Sequence, residues 1–307
     1  MNRHHVLALA ALFLCGCHSG LLATRAPPVP GTGAMPAGSA EYDNHEQVWT
    51  AAQSAALAVP HVVLSMQAQP DAEWSIWDVR VDGTTPLQAR WAMRRAGGKG
   101  DAMLVPYRAL VAAPAIGKDF DATQWAALDA CALHARRDGT AISHVADPAA
   151  CSVLTPGIGA TAALLPLAVT FDGELLRVRF YVDQARGDAA REDLRRVQVY
   201  AGWVAINGAG PSAAADSTDW HMDRTMHLGS EGGRSPVRFR DGTPSGYSLQ
   251  LERLTYRDGN VPVLKLSVVA DTDGRTLAYA WANPEATRIG LNLGWLQVGL
   301  DRAAAGK

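Results

Sequence analysis

The sequence predicts an all-β protein: an antiparallel barrel with an additional C-terminal β-meander and a short N-terminal helix. Three observations predict it. Segments of strand length alternate large apolar with polar residues, as half-buried strands do. The punctuation between them is short and rich in turn formers, among them Pro70-Asp71, Asp138-Gly139, Asp172-Gly173, Asp258-Gly259 and Asp271-Thr272-Asp273-Gly274. No long amphipathic helix crosses over between strands, which suits antiparallel neighbours. So large a sheet either closes or stacks into a sandwich, because an open one leaves long unpaired edges; closure is the expectation. A transmembrane barrel fits less well, since strands such as 196–207 (RVQVYAGWVAIN) offer no uniform outward apolar band.

Taken in order, the chain opens with Arg3, His4 and His5, then an apolar run over 6–14 that is too short to span a bilayer as a mature helix. Leu14-Cys15-Gly16-Cys17 follows and resembles the lipobox of bacterial lipoproteins. The resemblance implies a signal peptide over 1–16, lipidation of Cys17, and a membrane partner reached through that N-terminal lipid. His18, rather than aspartate, implies the bacterial outer membrane, periplasmic face. An ordinary secretory signal cleaved nearby is the alternative. Residues 17–40 hold Pro27-Pro28, Pro30-Gly31 and Pro36 and read as a flexible tether.

Asp43 or Asn44 caps a predicted helix that runs to about residue 59 and stops at Pro60. Strands are predicted over 61–68, 73–81, 86–94 and 103–111, with a helix-like link over 119–129. A hairpin over 131–145, strands over 164–171 and 175–182, and a strand over 197–206 follow. Residues 208–219 read as a loop. Beyond it, 247–256, 261–270 and 276–282 form a meander, and 290–299 is the last strand. The barrel region is expected over 41–205 and a β extension over 206–302, packed with the barrel.

The net charge of −2, with 48% hydrophobic and 19% charged residues, describes a globular core with no general pull on nucleic acid. In an oxidising compartment Cys131 and Cys151 read first as a disulfide, with a ligand-reactive thiol pair or a metal pair as alternatives; the spacing fits no zinc pattern. No metal site is assigned. His221, Asp223 and His227 form a candidate polar site, sharing one face of a strand with Thr225 while Met222 and Met226 point inward. His134 and His144 lie on opposite arms of the cysteine hairpin. Of nine tryptophans, Trp74, Trp91 and Trp203 are candidates to line a ligand cavity. Trp74 and Trp77 differ in parity, so one faces the core and the other the opposite surface. The glycine cluster at 97–101 lacks the phosphate-loop spacing, and neither a nucleophile elbow nor a zinc helix occurs.

Three places resemble the CpeT/CpcT family of chromophore lyases: Tyr42-Asp43-Asn44-His45-Glu46-Gln47, the stretch from Cys131 through the Arg-x-Gly turn ending at Gly139 to Cys151, and the hairpin at Asp172-Gly173-Glu174. Together they cover about residues 41–205. The resemblance implies a lipocalin-like barrel and a lyase acting on a tetrapyrrole-type substrate through Cys131 and Cys151. The family's Pro-Tyr-Arg-Gln motif is replaced here by Pro86-Leu87-Gln88-Ala89-Arg90, and Pro106-Tyr107-Arg108 lies too close to Cys131 to fill that place. Three functions follow. The first is a noncatalytic anchored barrel holding a small apolar or amphipathic ligand, a tetrapyrrole or another, with no cofactor. The second is a lyase-like enzyme, which needs free thiols. The third is a structural or assembly lipoprotein acting on an envelope protein partner through its surface, which a filled barrel favours.

Overall fold

Ten antiparallel strands close on themselves in the first part of the chain. A computed structural model describes residues 38–54, 58–83, 86–97, 102–138, 141–153, 157–182, 191–256 and 261–304. The expected signal peptide, Cys17, most of the expected tether, and the turn residues 98–101, 139 and 258–259 lie outside the described residues.

Strand β1 (Ala40–Asp43) leads into helix α1 (His45–Ala52), then β2 (His61–Ala68), β3 (Trp74–Asp82), β4 (Leu87–Ala96) and β5 (Met103–Ala109). A short β6 (Trp125–Ala127) pairs with the far end of β5. Next come β7 (Leu133–Asp138), β8 (Ala141–Val145), α2 (Pro148–Ser152), β9 (Pro166–Asp172), β10 (Leu175–Phe180) and β11 (Glu192–Arg196). The ladder runs β4-β3-β2-β1-β11-β10-β9-β8-β7-β5, and β5 pairs back onto β4. Closure depends on β1, which joins β2 on one side and β11 on the other, with Tyr42 opposite both Leu64 and Arg196.

Alternation sends one face of every strand to the barrel axis. There Tyr42, Leu64, Trp77, Trp91, Met93, Leu104, Leu133, Leu167, Val169, Leu176, Val178 and Leu194 form one cluster, each essentially without accessible surface. Any void large enough for water would register as accessible surface on its lining, so side chains fill the barrel axis. Trp77 and Trp91 are cross-strand partners, and both indole N–H groups are satisfied, on Ser75 Oγ at 3.0 Å and Leu164 O at 3.1 Å. Trp74, of opposite parity, packs outside the barrel with Ile76, Ala92 and Trp125, covered by Tyr107 and Phe120. Cys131, just before β7, and Cys151, in α2 after β8, are joined in a disulfide that clamps the two ends of the hairpin; both are buried.

The chain then leaves the barrel. Strands β12 (Val199–Asn207), β13 (Trp220–Gly229), β14 (Glu231–Arg238), β15 (Pro244–Tyr256), β16 (Val261–Ala270), β17 (Thr276–Ala282), β18 (Arg288–Asn292) and β19 (Leu296–Arg302) form two four-stranded sheets. Their orders are β13-β12-β19-β18 and β14-β15-β16-β17, the latter containing the expected meander. The sheets share a core of Val204, Ile206, Leu228, Leu249, Leu251, Leu264, Leu266, Val298 and Leu300, which makes them a sandwich. Because β12 belongs to this sandwich, the barrel's own strands end at Arg196.

Local chemistry explains where elements depart from expectation. Helix α1 stops at Ala52 rather than near 59, because Ser54 takes the Ala51 carbonyl with both its N–H and its hydroxyl, tightening the last turn. The link over 119–129 holds a 3₁₀ turn, Ala122–Gln124, and β6. The predicted last strand is divided in two: Asn292 Oδ1 accepts the Gly294 N–H, Leu293 N–H bonds to Leu296 O, and Gly294 takes a positive φ of 82°.

Candidate functional site

The stretch Tyr42–Gln47 forms the hinge between barrel and sandwich, and each of its residues has a separate task. Tyr42 fills the barrel core. Asp43 Oδ1 accepts the His45 N–H at 2.7 Å, opening α1, and also meets His61 Nε2 at 2.9 Å. His61 Nδ1 lies 2.8 Å from Asp82 Oδ2, so the imidazole bridges two carboxylates. The Asp43 hydrogen bond raises the His61 pKa against the lowering effect of burial, and Asp82 adds to the rise. Asn44, the residue before the helix, makes no capping bond but turns inward to Val62 N–H, Pro60 O and Glu192. His45 Nε2 reaches Glu252 Oε1 at 3.1 Å, and Glu46 pairs with Arg195. Gln47 accepts from Asp193 N–H and donates to Arg191 O.

Across this hinge lies a buried ion network. Glu231 Oε2 is 2.8 Å from Arg195 Nη2 and its Oε1 is 2.8 Å from Arg253 Nε, with no exposed carboxylate surface. Ser230 donates to the same carboxylate, and Arg253 also donates to Arg196 O. A cleft of about 460 Å³ runs along α1, lined by Asp43, Glu46, Gln47, Thr50, Asp193 and Arg195 among others.

From the same helix an aromatic strip extends over the outer face of the meander. Trp49 meets Tyr256 edge-on at 5.4 Å, Tyr256 meets Trp281 at 5.5 Å, and Trp281 stacks on Tyr279 at 5.2 Å and 27°. Lys265 Nζ sits 5.9 Å from the Tyr279 ring centre and 3.2 Å from Glu252 Oε2, joining the strip to His45 through a polar chain. Burial raises the Glu252 pKa, but His45 and Lys265 outweigh it and hold the carboxyl below its ordinary value. Tyr279 and Trp281 are 53% and 56% exposed, and Val261, opposite Tyr256, is exposed beside them. The signal was present in the sequence: TLAYAWA carries small alanines on the face that meets the core and large aromatics on the other.

The polar site expected on β13 is not assembled. Gly202 pairs with Met226 but Val204 pairs with Asp223, so β13 holds one extra residue between them. That bulge reverses parity. Met226 is buried while Met222 is 49% exposed, correcting the expectation that both point inward. His221 and Asp223 therefore lie on the other side of the strand from His227. His221 pairs with Asp219 at 3.2 Å and packs on Phe239, Asp223 bonds to Thr225, and His227 is exposed near Thr225 O. The candidate cavity residues are also separate. Trp91 lies in the barrel core, Trp74 outside it, and Trp203 in β12 beside Gly299 of the sandwich. His144 faces the barrel core, where burial and then Arg95 push its pKa down, while His134 is exposed on the opposite face of the hairpin.

Among the described residues no group of three or more His, Cys, Asp or Glu is placed to hold a metal ion. No described helix is long and apolar enough to cross a membrane. Comparison with protein-family models, with curated proteins and with solved structures finds no match for this chain.

Proposed function

We propose that this is a noncatalytic, lipid-anchored envelope protein that binds a glycan chain along the aromatic strip of its sandwich, with the barrel as a rigid scaffold. The exposed Tyr279–Trp281 stack carries the reading. Large aromatics left half in water on a flat sheet face present apolar ring surfaces with polar neighbours, here Lys265, Glu252 and Gln250. A saccharide is the complementary amphipathic ligand, with C–H faces for the rings and hydroxyls for the polar groups. Size separates this from a protein partner. Two half-exposed aromatics offer roughly 200 Å², well short of the about 800 Å² per side of a stable protein interface. The filled barrel supports a ligand outside rather than inside. The buried disulfide removes the free thiols that lyase chemistry through Cys131 and Cys151 needs.

The test uses residues 18–307, exported behind a cleavable secretory signal, in calorimetric titration with an oligosaccharide of β-linked N-acetylglucosamine and in co-sedimentation with cell-wall sacculi. Binding that weakens at least tenfold in both Tyr279→Ala and Trp281→Ala supports the reading. No saccharide binding, or binding indifferent to both substitutions, overturns it.

A further inference from the structure

The meander sheet ends in an edge strand that no other described strand covers. Strand β17 is last in the order β14-β15-β16-β17 and pairs with β16 alone. Among the described residues no other segment hydrogen-bonds to it. Its core-facing Ala278, Ala280 and Ala282 are only half-buried, whereas Val268, Leu266 and Leu264 opposite them on β16 have no accessible surface.

A free row of backbone N–H and C=O groups is a template for another strand, and proteins ordinarily blunt it with charge, proline or a bulge. The other three edges of the sandwich are blunted. β13 carries the bulge, and its Trp220 and Thr225 carbonyls meet Arg240 Nη2 and His227 Nδ1. β14 holds Arg234, Pro236 and Arg238 and two register shifts. β18 is five residues long and begins with Arg288, which pairs with Asp301. β17 reads Thr-Leu-Ala-Tyr-Ala-Trp-Ala, without charge, proline or glycine. Its one irregularity lies opposite Val268 and Val269, so Ala278–Ala282 pairs regularly.

A second copy of the same strand fits this edge. An uncharged strand does not repel its twin, and two-fold symmetry is the commonest closed arrangement. Antiparallel pairing centred on Ala280, the middle of the regular stretch, sets Tyr279 of each copy opposite Trp281 of the other. Those rings lie on one face of the joined sheet, and aromatic pairs are favourable cross-strand neighbours. The strand's ends are complementary in charge. Arg275 precedes it and Glu285 follows it, each 3.6 Å from a partner in its own chain, Asp273 and Arg302. The two-fold brings the Arg275 end of one copy to the Glu285 end of the other.

We infer that two copies of this protein join edge to edge through β17, making one eight-stranded sheet of their two meander sheets. The contact is made in the plane of the sheet by main-chain groups. It therefore leaves the ring faces open and sets the two aromatic strips side by side. The pairing needs no saccharide, so it stands apart from the glycan-binding reading.

The experiment is sedimentation velocity on the same exported chain, residues 18–307, without saccharide, over about 5 to 500 μM. Tyr279→Lys/Trp281→Lys sets like charges opposite one another across the two-fold. Tyr279→Glu/Trp281→Lys sets opposite charges there instead, and circular dichroism verifies that both variants fold. A wild-type dimer that weakens at least tenfold in the first variant and persists in the second supports the pairing. A wild type that stays monomeric throughout, equal dimerisation by the first variant, or loss of the dimer in both variants overturns it.

Discussion

Arg195 Nη2 lies 2.8 Å from Glu231 Oε2, and this one contact ties the last barrel strand to the first strand of the meander sheet. Arg253 meets the other carboxylate oxygen, and Glu46 holds Arg195 from the helix side. Two guanidinium groups, from β11 and β15, thereby meet on one buried carboxylate. Removing it strands two guanidinium groups in a poorly hydrated place, so Glu231→Ala is expected to cost about 3–5 kcal/mol. Urea unfolding followed by circular dichroism measures this, and a loss below about 1 kcal/mol contradicts the structural role given to the network.

The bridge Asp43–His61–Asp82 makes stability depend on pH. The raised His61 pKa means that its contribution is fully present below the ordinary value of about 6.5 and is lost as pH rises through the higher folded value. The hydrogen bond from His61 lowers the Asp82 pKa, so that contribution is present above about pH 3.9 and lost as pH falls through the folded value. The bridge is strongest between those limits. His61→Gln is expected to cost at most about 1 kcal/mol near pH 5.5, because Asp82 is half exposed and screened, and less near pH 9. Chemical denaturation at the two pH values checks it; an equal loss at both rejects the bridge.

Trp91 fills the barrel axis opposite Trp77 with 2% of its surface exposed. Trp91→Ala is expected to cost about 3–5 kcal/mol and to open an apolar cavity. A small hydrophobe such as benzene should then bind the variant and not the wild type. Wild-type binding of benzene in the barrel would show that the axis holds space.

The Cys131–Cys151 disulfide closes a loop with a sequence separation of 20. Loop-closure entropy makes its removal cost about 3 kcal/mol, so Cys131→Ala/Cys151→Ala should lower the melting temperature while leaving the barrel folded. Alkylation of the denatured, unreduced exported chain should modify neither cysteine. Two modified thiols would return the lyase reading to contention.

How the architecture could be read depended on the kind of information each element carries. Alternation and turn chemistry are local, so β2, β3, the β9–β10 hairpin and the β15–β17 meander were legible, as was the opposite facing of Trp74 and Trp77. The strands that complete the barrel were not. β1 is only four residues long, and β11 reads Glu-Asp-Leu-Arg-Arg. Neither has much apolar signal, because ladder hydrogen bonds come from the backbone and are open to any residue except proline. Both pair because their neighbours leave free edges there.

The same limit separates the two candidate sites. On β13 the period-two rule joined His221, Asp223 and His227, and one inserted residue parted them; a bulge depends on what the partner strand β12 presents. The stretch Tyr42–Gln47 stood out in its own letters, while TLAYAWA, read only as a strand of the meander, carried the alternation that leaves its aromatics outside. That Glu252 would meet His45, and that Tyr256 would meet both Trp49 and Trp281, depended on how the sandwich packs against the helix. Residue patterns specify which face of a segment avoids water. Which other segment covers that face, or leaves it open, is set when distant strands find partners, since hydrophobic burial is non-directional and names no neighbour.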